Sequence, residues 1–435
     1  MSNTGSHVLV RLFTKQSQYS VPDAPFSVPS KITVKELNSL VNGLLKEALT
    51  DTPKLVDFDF LIKGEFLHTT LLEHLVQSNI STEDVIEVEY LERHPAPQPE
   101  DSLVHDDWVS CIHGGKQYIL SGCYDNTIHI WNKEGVNLKT ISGHTAPVLC
   151  VSWIKHDESP VCEFVTGSHD QTLLLWQWNP KTKEVKCNYV CRGHSASVDC
   201  VAVDHTKTRI CSGSWDNMLK IWSTVKVGNK SDIWQCKICL EEFCLISKKK
   251  ICGYKAELRV PLLTLAGHSE GISSLCWVDR NQICTASWDH TMKIWDLEKA
   301  ECLTTMQGSK VFLDLAYSPL NQLIITGSAD RHIRLWDHRT NEGAIVKNSF
   351  SSHRGWVSSV CWSPNSENHF ISGSYDMLLK LWDVRSPKAP LYNMTGHEEK
   401  ILAVDWSIPE LMLSGGADKH MKIFHHTNAK EFIAS

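Results

Sequence analysis

From residue 101 onward the chain repeats one pattern: a short apolar run, a tight polar turn, and a second run alternating apolar and polar up to an aromatic. Such alternation, as in Ile128 and Ile130 or Ile221 beside Lys220, is the period of a strand with one buried face. The turn reads Gly122-Cys123-Tyr124-Asp125 ahead of Trp131, Gly167-Ser168-His169-Asp170 ahead of Trp176, and Gly213-Ser214-Trp215-Asp216 ahead of Trp222. It returns as Ala286-Ser287-Trp288-Asp289 before Trp295, Gly327-Ser328-Ala329-Asp330 before Trp336, Gly373-Ser374-Tyr375-Asp376 before Trp382, and Gly416-Ala417-Asp418 before Phe424. An Asp in this place bonds backbone amides and tolerates turn geometry.

The closing aromatics stand 45, 46, 73, 41, 46 and 42 residues apart. All but one of these intervals match the period of about 40–45 residues that marks WD repeats. Seven copies predict a mainly β, seven-bladed propeller over residues 101–428, with the long interval holding an insert at about 224–260. A Gly-His pair precedes most copies, ending in His144, His194, His268 and His397; Ser352-His353 is a variant and Gly308-Ser309 lacks the histidine. Recurring His and Asp invite a metal or catalytic reading. A catalytic site is needed once, however, and this set recurs blade by blade. His144, His194, His268, His353 and His397 are therefore assigned to structure, with Asp170, Asp216, Asp289, Asp376 and Asp418 and with Trp176, Trp222, Trp295 and Trp382. A ring of four-stranded blades must close without an open edge. The segment at 96–104 is expected to supply the outer strand of the last blade.

Residues 7–92 do not follow the repeat. Residues 7–13 alternate like a strand, and 19–28 are extended among Pro22, Pro25 and Pro29. Residues 33–48 place Leu37, Leu40, Val41, Leu44 and Leu45 on one helical face, with Thr33 suited to the cap. Residues 56–62 form a strand ending in a Lys63-Gly64 turn, 67–75 a short helical segment, and 85–91 a last strand. This order predicts a small α+β, ubiquitin-like β-grasp domain. Pro95, Pro97 and Pro99 make residues 93–100 a stiff linker.

Composition narrows the function. No apolar run reaches the roughly 18 residues of a membrane span, and the N-terminus lacks a secretory signal. The 16 cysteines then read as small buried hydrophobes in a reducing compartment rather than disulfides. A net charge of −7 argues against binding nucleic acid through overall charge. There is no Gly-rich phosphate loop, no Gly-x-Ser-x-Gly elbow, no His-Glu-x-x-His and no RRM-like aromatic motif, so neither an enzyme nor a direct RNA reader is expected.

The whole chain except the insert resembles the WD-repeat subunits of Pescadillo–Bop complexes. The residues that carry this are Val56-Asp57-Phe58-Asp59-Phe60-Leu61-Ile62-Lys63-Gly64, Glu87-Val88-Glu89-Tyr90, Ala96-Pro97-Gln98-Pro99-Glu100, Leu219-Lys220-Ile221-Trp222-Ser223 and Arg331-His332-Ile333-Arg334-Leu335-Trp336-Asp337. The front domain resembles the one shared with Notchless. The resemblance implies a non-catalytic factor in maturation of large-subunit ribosomal RNA, acting on pre-60S particles in the nucleolus and nucleoplasm. Its implied partners are Pescadillo-like and Bop-like proteins and the AAA ATPase midasin, with no membrane and no sequence-specific DNA. In that family a carboxylate from the loop before the last front-domain strand completes the coordination of a metal held by midasin. A hard cation such as Mg²⁺ takes oxygen ligands and keeps positions open for one. The matching residue is Glu83, with Asp84 the second choice; no cofactor intrinsic to this chain is implied.

Two motifs admit other readings. Cys236, Cys239, Cys244 and Cys252 in the insert number enough for zinc. Their spacing after the first Cys-x-x-Cys is irregular and favours a loosely packed loop. Related proteins carry a polar insert here, from which the apolar stretch at 238–246 departs. The run Lys248-Lys249-Lys250 reads as a solvated loop. Trp336-Asp337-His338-Arg339 and Trp382-Asp383-Val384-Arg385 suit a substrate receptor of a cullin-type ubiquitin ligase, the alternative function.

Overall fold

The computed structural model describes residues 7–48, 55–156, 160–225, 249–251, 254–339 and 345–426. The chain forms two compact units, divided between Ala96 and Pro97.

The front unit runs β1 (His7–Phe13), β2 (Pro25–Pro29), α1 (Val34–Ala48), β3 (Phe58–Ile62), β4 (Glu65–Phe66), α2 (Leu71–Gln77) and β5 (Ile86–Glu92). The sheet order is β2-β1-β5-β3-β4, with β1 and β5 parallel at the centre and the other pairs antiparallel. This is the β-grasp order. α1 starts at a capping box: Glu36 accepts from the Thr33 amide at 2.8 Å, and the Thr33 hydroxyl accepts from the Glu36 amide at 3.4 Å. Its predicted face packs as expected, with Leu37, Val41 and Leu45 buried and Leu40 and Leu44 at the margin of the core. Two details differ from the sequence reading. Lys63 and Gly64 both have positive φ (49° and 83°), the geometry of a two-residue hairpin turn, and this turn leads into a two-residue strand, β4. The second helix accordingly starts later than residue 67, at Leu71 behind a Thr70 cap. Leu67 is still held to the hairpin, its amide donating to the Phe60 carbonyl.

The second unit contains seven sheets built from consecutive strands. Blades 1 to 7 cover 109–142, 148–192, 198–223 with 263–266, 272–307, 312–350, 357–394, and 401–425 with 98–104. Gln98–Val104 pairs antiparallel with His420–His425, so the segment before blade 1 completes blade 7, as expected. Residues 98–100, read as linker, are therefore part of this strand. Leu103 faces inward and is buried there.

Neighbouring blades are joined at their inner strands. Ser110, Ser273 and Ser358 each donate to the first inner-strand carbonyl of the next blade, at Val148, Phe312 and Ile401. Asp314 in blade 5 accepts from Ser274 of blade 4 and from Ser359 and the Val360 amide of blade 6. At the seam between the last and first blades, Asp405 accepts from the Gly114 amide at 2.9 Å.

The insert departs from the expected loose loop at its far end. Tyr254–Arg259 adds a parallel strand to the edge of blade 2, and Lys249–Ile251 pairs with it. Ala256 is buried in this addition, and the Arg259 guanidinium lies 3.5 Å from the Tyr189 ring centre. Cys236, Cys239, Cys244 and Cys252 lie outside the described residues. The twelve described cysteines are free thiols, and Cys302 is the exposed one among them.

Candidate partner-binding site

The repeated His and Asp residues are tied up inside the blades. His144 bridges Asp170 and Thr166 at 2.8 Å each, and the Trp176 indole donates to the same Thr166. His194 joins Asp216 and Ser212 with Trp222; His268 joins Asp289 and Thr285 with Trp295. His353 joins Asp376 and Ser372 with Trp382. In blade 7 His397 joins Asp418 and Ser414, and Phe424 fills the tryptophan's place without its N–H. Burial works to raise the Asp170, Asp216 and Asp376 carboxyls. The histidine bonds and charges and local amides outweigh it and hold them at about 2. These networks bond each histidine to partners within its own blade.

Two blades solve the same problem differently. In blade 1, His105 meets Ser121 at 2.8 Å, and the Trp131 indole donates to that Ser. Sequence reading missed His105 because Val104, not Gly, precedes it. Its other nitrogen faces the Leu103 carbonyl rather than the turn Asp125, and burial, with the neighbouring His129, pushes it down to about 4. In blade 5, where Ser309 replaces the histidine, the Arg334 guanidinium and the Ser309 hydroxyl bond Asp330 instead. The arginines of both Trp-Asp-x-Arg motifs fold back onto their own aspartates, Arg339 on Asp337 and Arg385 on Asp383.

The acidic loop of the front unit is built the opposite way. α2 ends at Ser78, and Asn79 takes a positive φ of 51°. Asn adopts this conformation more readily than most non-glycine residues. The turn lets the Ile80 amide donate back to the Leu75 carbonyl while the Ile80 side chain packs against the core. From that anchor residues 81–85 stand exposed until β5 begins. The Ser81 hydroxyl accepts from the Glu83 amide at 3.2 Å, which shapes the tip. The Glu83 carboxylate itself bonds to nothing among the described residues. Asp84 differs in place: with Phe13, Leu61, Lys63 and Val85 it lines an open depression of about 510 Å³ beside the tip. No group of three or more His, Cys, Asp or Glu is placed to hold a metal among the described residues. A lone carboxylate at a loop tip cannot build a metal site of its own, but it supplies one oxygen to a cation whose other ligands lie elsewhere.

The fold and loop together define a WD-repeat propeller protein with a separate β-grasp front domain that presents an acidic tip. Comparison with known proteins agrees in both parts. Residues 8–75 match the NLE (NUC135) domain, and 98–132, 135–177, 185–223, 259–296, 300–337, 345–383 and 388–425 match the WD domain, G-beta repeat. The chain is 50% identical to a ribosome biogenesis protein WDR12 homolog of Ixodes scapularis, covering 97% of this chain and 99% of the relative. It is 48% identical to the homolog of Aedes aegypti over 95% and 94%, and 44% identical to that of Nematostella vectensis over 96% and 99%. The chain belongs to this WDR12 family of ribosome biogenesis proteins.

Proposed function

We propose that the protein is a non-catalytic assembly factor for the large ribosomal subunit and its RNA, working in the nucleolus and nucleoplasm. The propeller holds it in a complex with Pescadillo-like and Bop-like proteins by docking onto a second propeller. The front domain then offers Glu83 to a Mg²⁺ held by a midasin-type ATPase, whose pulling strips the complex from the pre-60S particle. The names of the relatives support the ribosomal role. The observation that carries the finer reading is the Glu83 carboxylate, exposed at the tip of a well-anchored loop with no partner of its own among the described residues.

Binding of the full chain to the metal-binding domain of midasin tests it. With Mg²⁺ present, Glu83→Ala is expected to weaken affinity by tenfold or more, about 1.4 kcal/mol or above. Glu83→Asp, one methylene shorter, is also expected to weaken it, whereas Asp84→Ala keeps most of the affinity. Chelating the metal abolishes the difference between Glu83 and Ala. Unchanged affinity in both Glu83 variants sinks the reading.

A further inference from the structure

At one end of the propeller every blade makes the same backbone bond. The residue before the turn Asp donates its N–H to the carbonyl of the residue that precedes, or nearly precedes, the inner strand: Tyr124 to Trp108, Trp215 to Ser197, Trp288 to Gly271, Tyr375 to Trp356, and likewise in the other three. Because the inner strands of successive blades pack on one another around the ring, these positions form the rim of one mouth.

The chemistry of that rim is uneven. Blades 1, 3, 4 and 6 place large rings on it, and the rings meet in pairs. Trp108 lies 5.3 Å from Tyr124, Trp215 5.3 Å from Trp288, and Trp356 5.6 Å from Tyr375. Trp215 remains 43% exposed although it packs closely. Gly271 makes this arrangement possible, since a Cβ there would come within 3.0 Å of the Trp215 ring. Lys400 of blade 7 illustrates the rim's affinity for cations, with its ammonium 4.5 Å from the Trp108 ring centre and 5.1 Å from that of Tyr375.

The Trp215–Trp288 pair offers two indoles and a carboxylate besides. Asp199, on the inner strand of blade 3, accepts from the Trp215 indole and from the Ser197 hydroxyl. Burial pushes it up to about 6 despite those two donors and the nearby His169. Among the described residues no lysine or arginine pairs with Asp199, and no cation lies over Trp215 or Trp288. A half-buried carboxylate bonded to the Trp215 indole, with the Trp288 ring beside that indole, calls for a flat, weakly hydrated cation. Arginine fits: its guanidinium stacks on an indole face and forks onto a carboxylate, which the compact ammonium of lysine does less well. The same carboxylate repels the phosphates of RNA.

We propose that this rim is a binding site for an arginine side chain on an extended segment of a protein partner, held between the Trp215–Trp288 rings and Asp199. The full chain is titrated with a capped Gly-Arg-Gly peptide and with its lysine and citrulline counterparts, by calorimetry and tryptophan fluorescence. Saturable binding of the arginine peptide is expected, at least about tenfold weaker with lysine and with citrulline, and weakened to a similar degree in Asp199→Asn. If Asp199→Asn lowers the unfolding midpoint, Trp288→Ala must reproduce the loss in a chain that keeps its midpoint. Equal binding of the citrulline peptide, unchanged affinity in both variants, no saturation at millimolar peptide, or a single-stranded RNA oligonucleotide binding in place of the peptide overturns the proposal.

Discussion

Asp376 illustrates what one side chain contributes to a blade. One of its oxygens takes the His353 ring and the Arg354 amide; the other takes the Leu378 amide. Its carboxyl is held at about 2, against an ordinary value of 3.8. A depressed carboxylate adds stability that is complete above the unfolded value and is lost as pH falls through the folded one. Asp376→Asn is therefore expected to cost about 2 kcal/mol at pH 7. The gap between the two thermal midpoints closes as pH is lowered from about 4 towards 2. A gap that stays constant with pH assigns the cost to packing instead. The next residue carries the opposite kind of energy. Met377 has a φ of 66°, and the residue after the turn Asp is left-handed in all seven blades. Asn tolerates this conformation, and Asn126 and Asn217 already occupy it in blades 1 and 3. Because Met377 is 43% exposed, little packing is lost on replacing it, and Met377→Asn is expected to raise stability by up to about 1 kcal/mol, read as a higher midpoint.

Among the elements, the strand Gln98–Val104 has the largest leverage. Without it His420–His425 becomes an open edge, the kind that recruits another chain. Leu103→Arg places a charge in its buried contact and is expected to cost on the order of 3 kcal/mol or more. Size-exclusion chromatography should then show self-association; a stable monomer would contradict the closure role. This strand was legible in the sequence because a ring leaves one blade short and one segment spare. The blades were legible because their turn phrase repeats, and α1 because its cap and apolar face agree. The losses have physical causes. β4 is two residues long, too short for any period to register. The strand at Tyr254–Arg259 joins blade 2 in parallel, far along the chain, and no local pattern encodes a distant edge. Glu83 was legible only through resemblance, since an exposed carboxylate looks like any solvated one. The aromatic rim stayed hidden because Tyr124, Trp215, Trp288 and Tyr375 sit inside the repeat phrase itself, where they read as variation.

For the whole molecule, the proposed division of tasks between the two units implies separable defects. A chain carrying Glu83→Ala is expected to enter pre-60S particles and stay there, because its propeller is intact. A chain carrying Leu103→Arg is expected not to enter. Purified particles probed for each variant decide this, and Glu83→Ala missing from pre-60S contradicts the scheme. Under that proposal the closing strand also sits on a load path. β5 ends at Glu92 and the strand that seals blade 7 begins at Gln98, so tension on the front domain travels through residues 93–97 into the latch of the ring. A tug across the sheet breaks the latch bond by bond, whereas a tug along the strand loads all its bonds together. The direction of pull would thus set whether a motor extracts this protein whole or springs it open first.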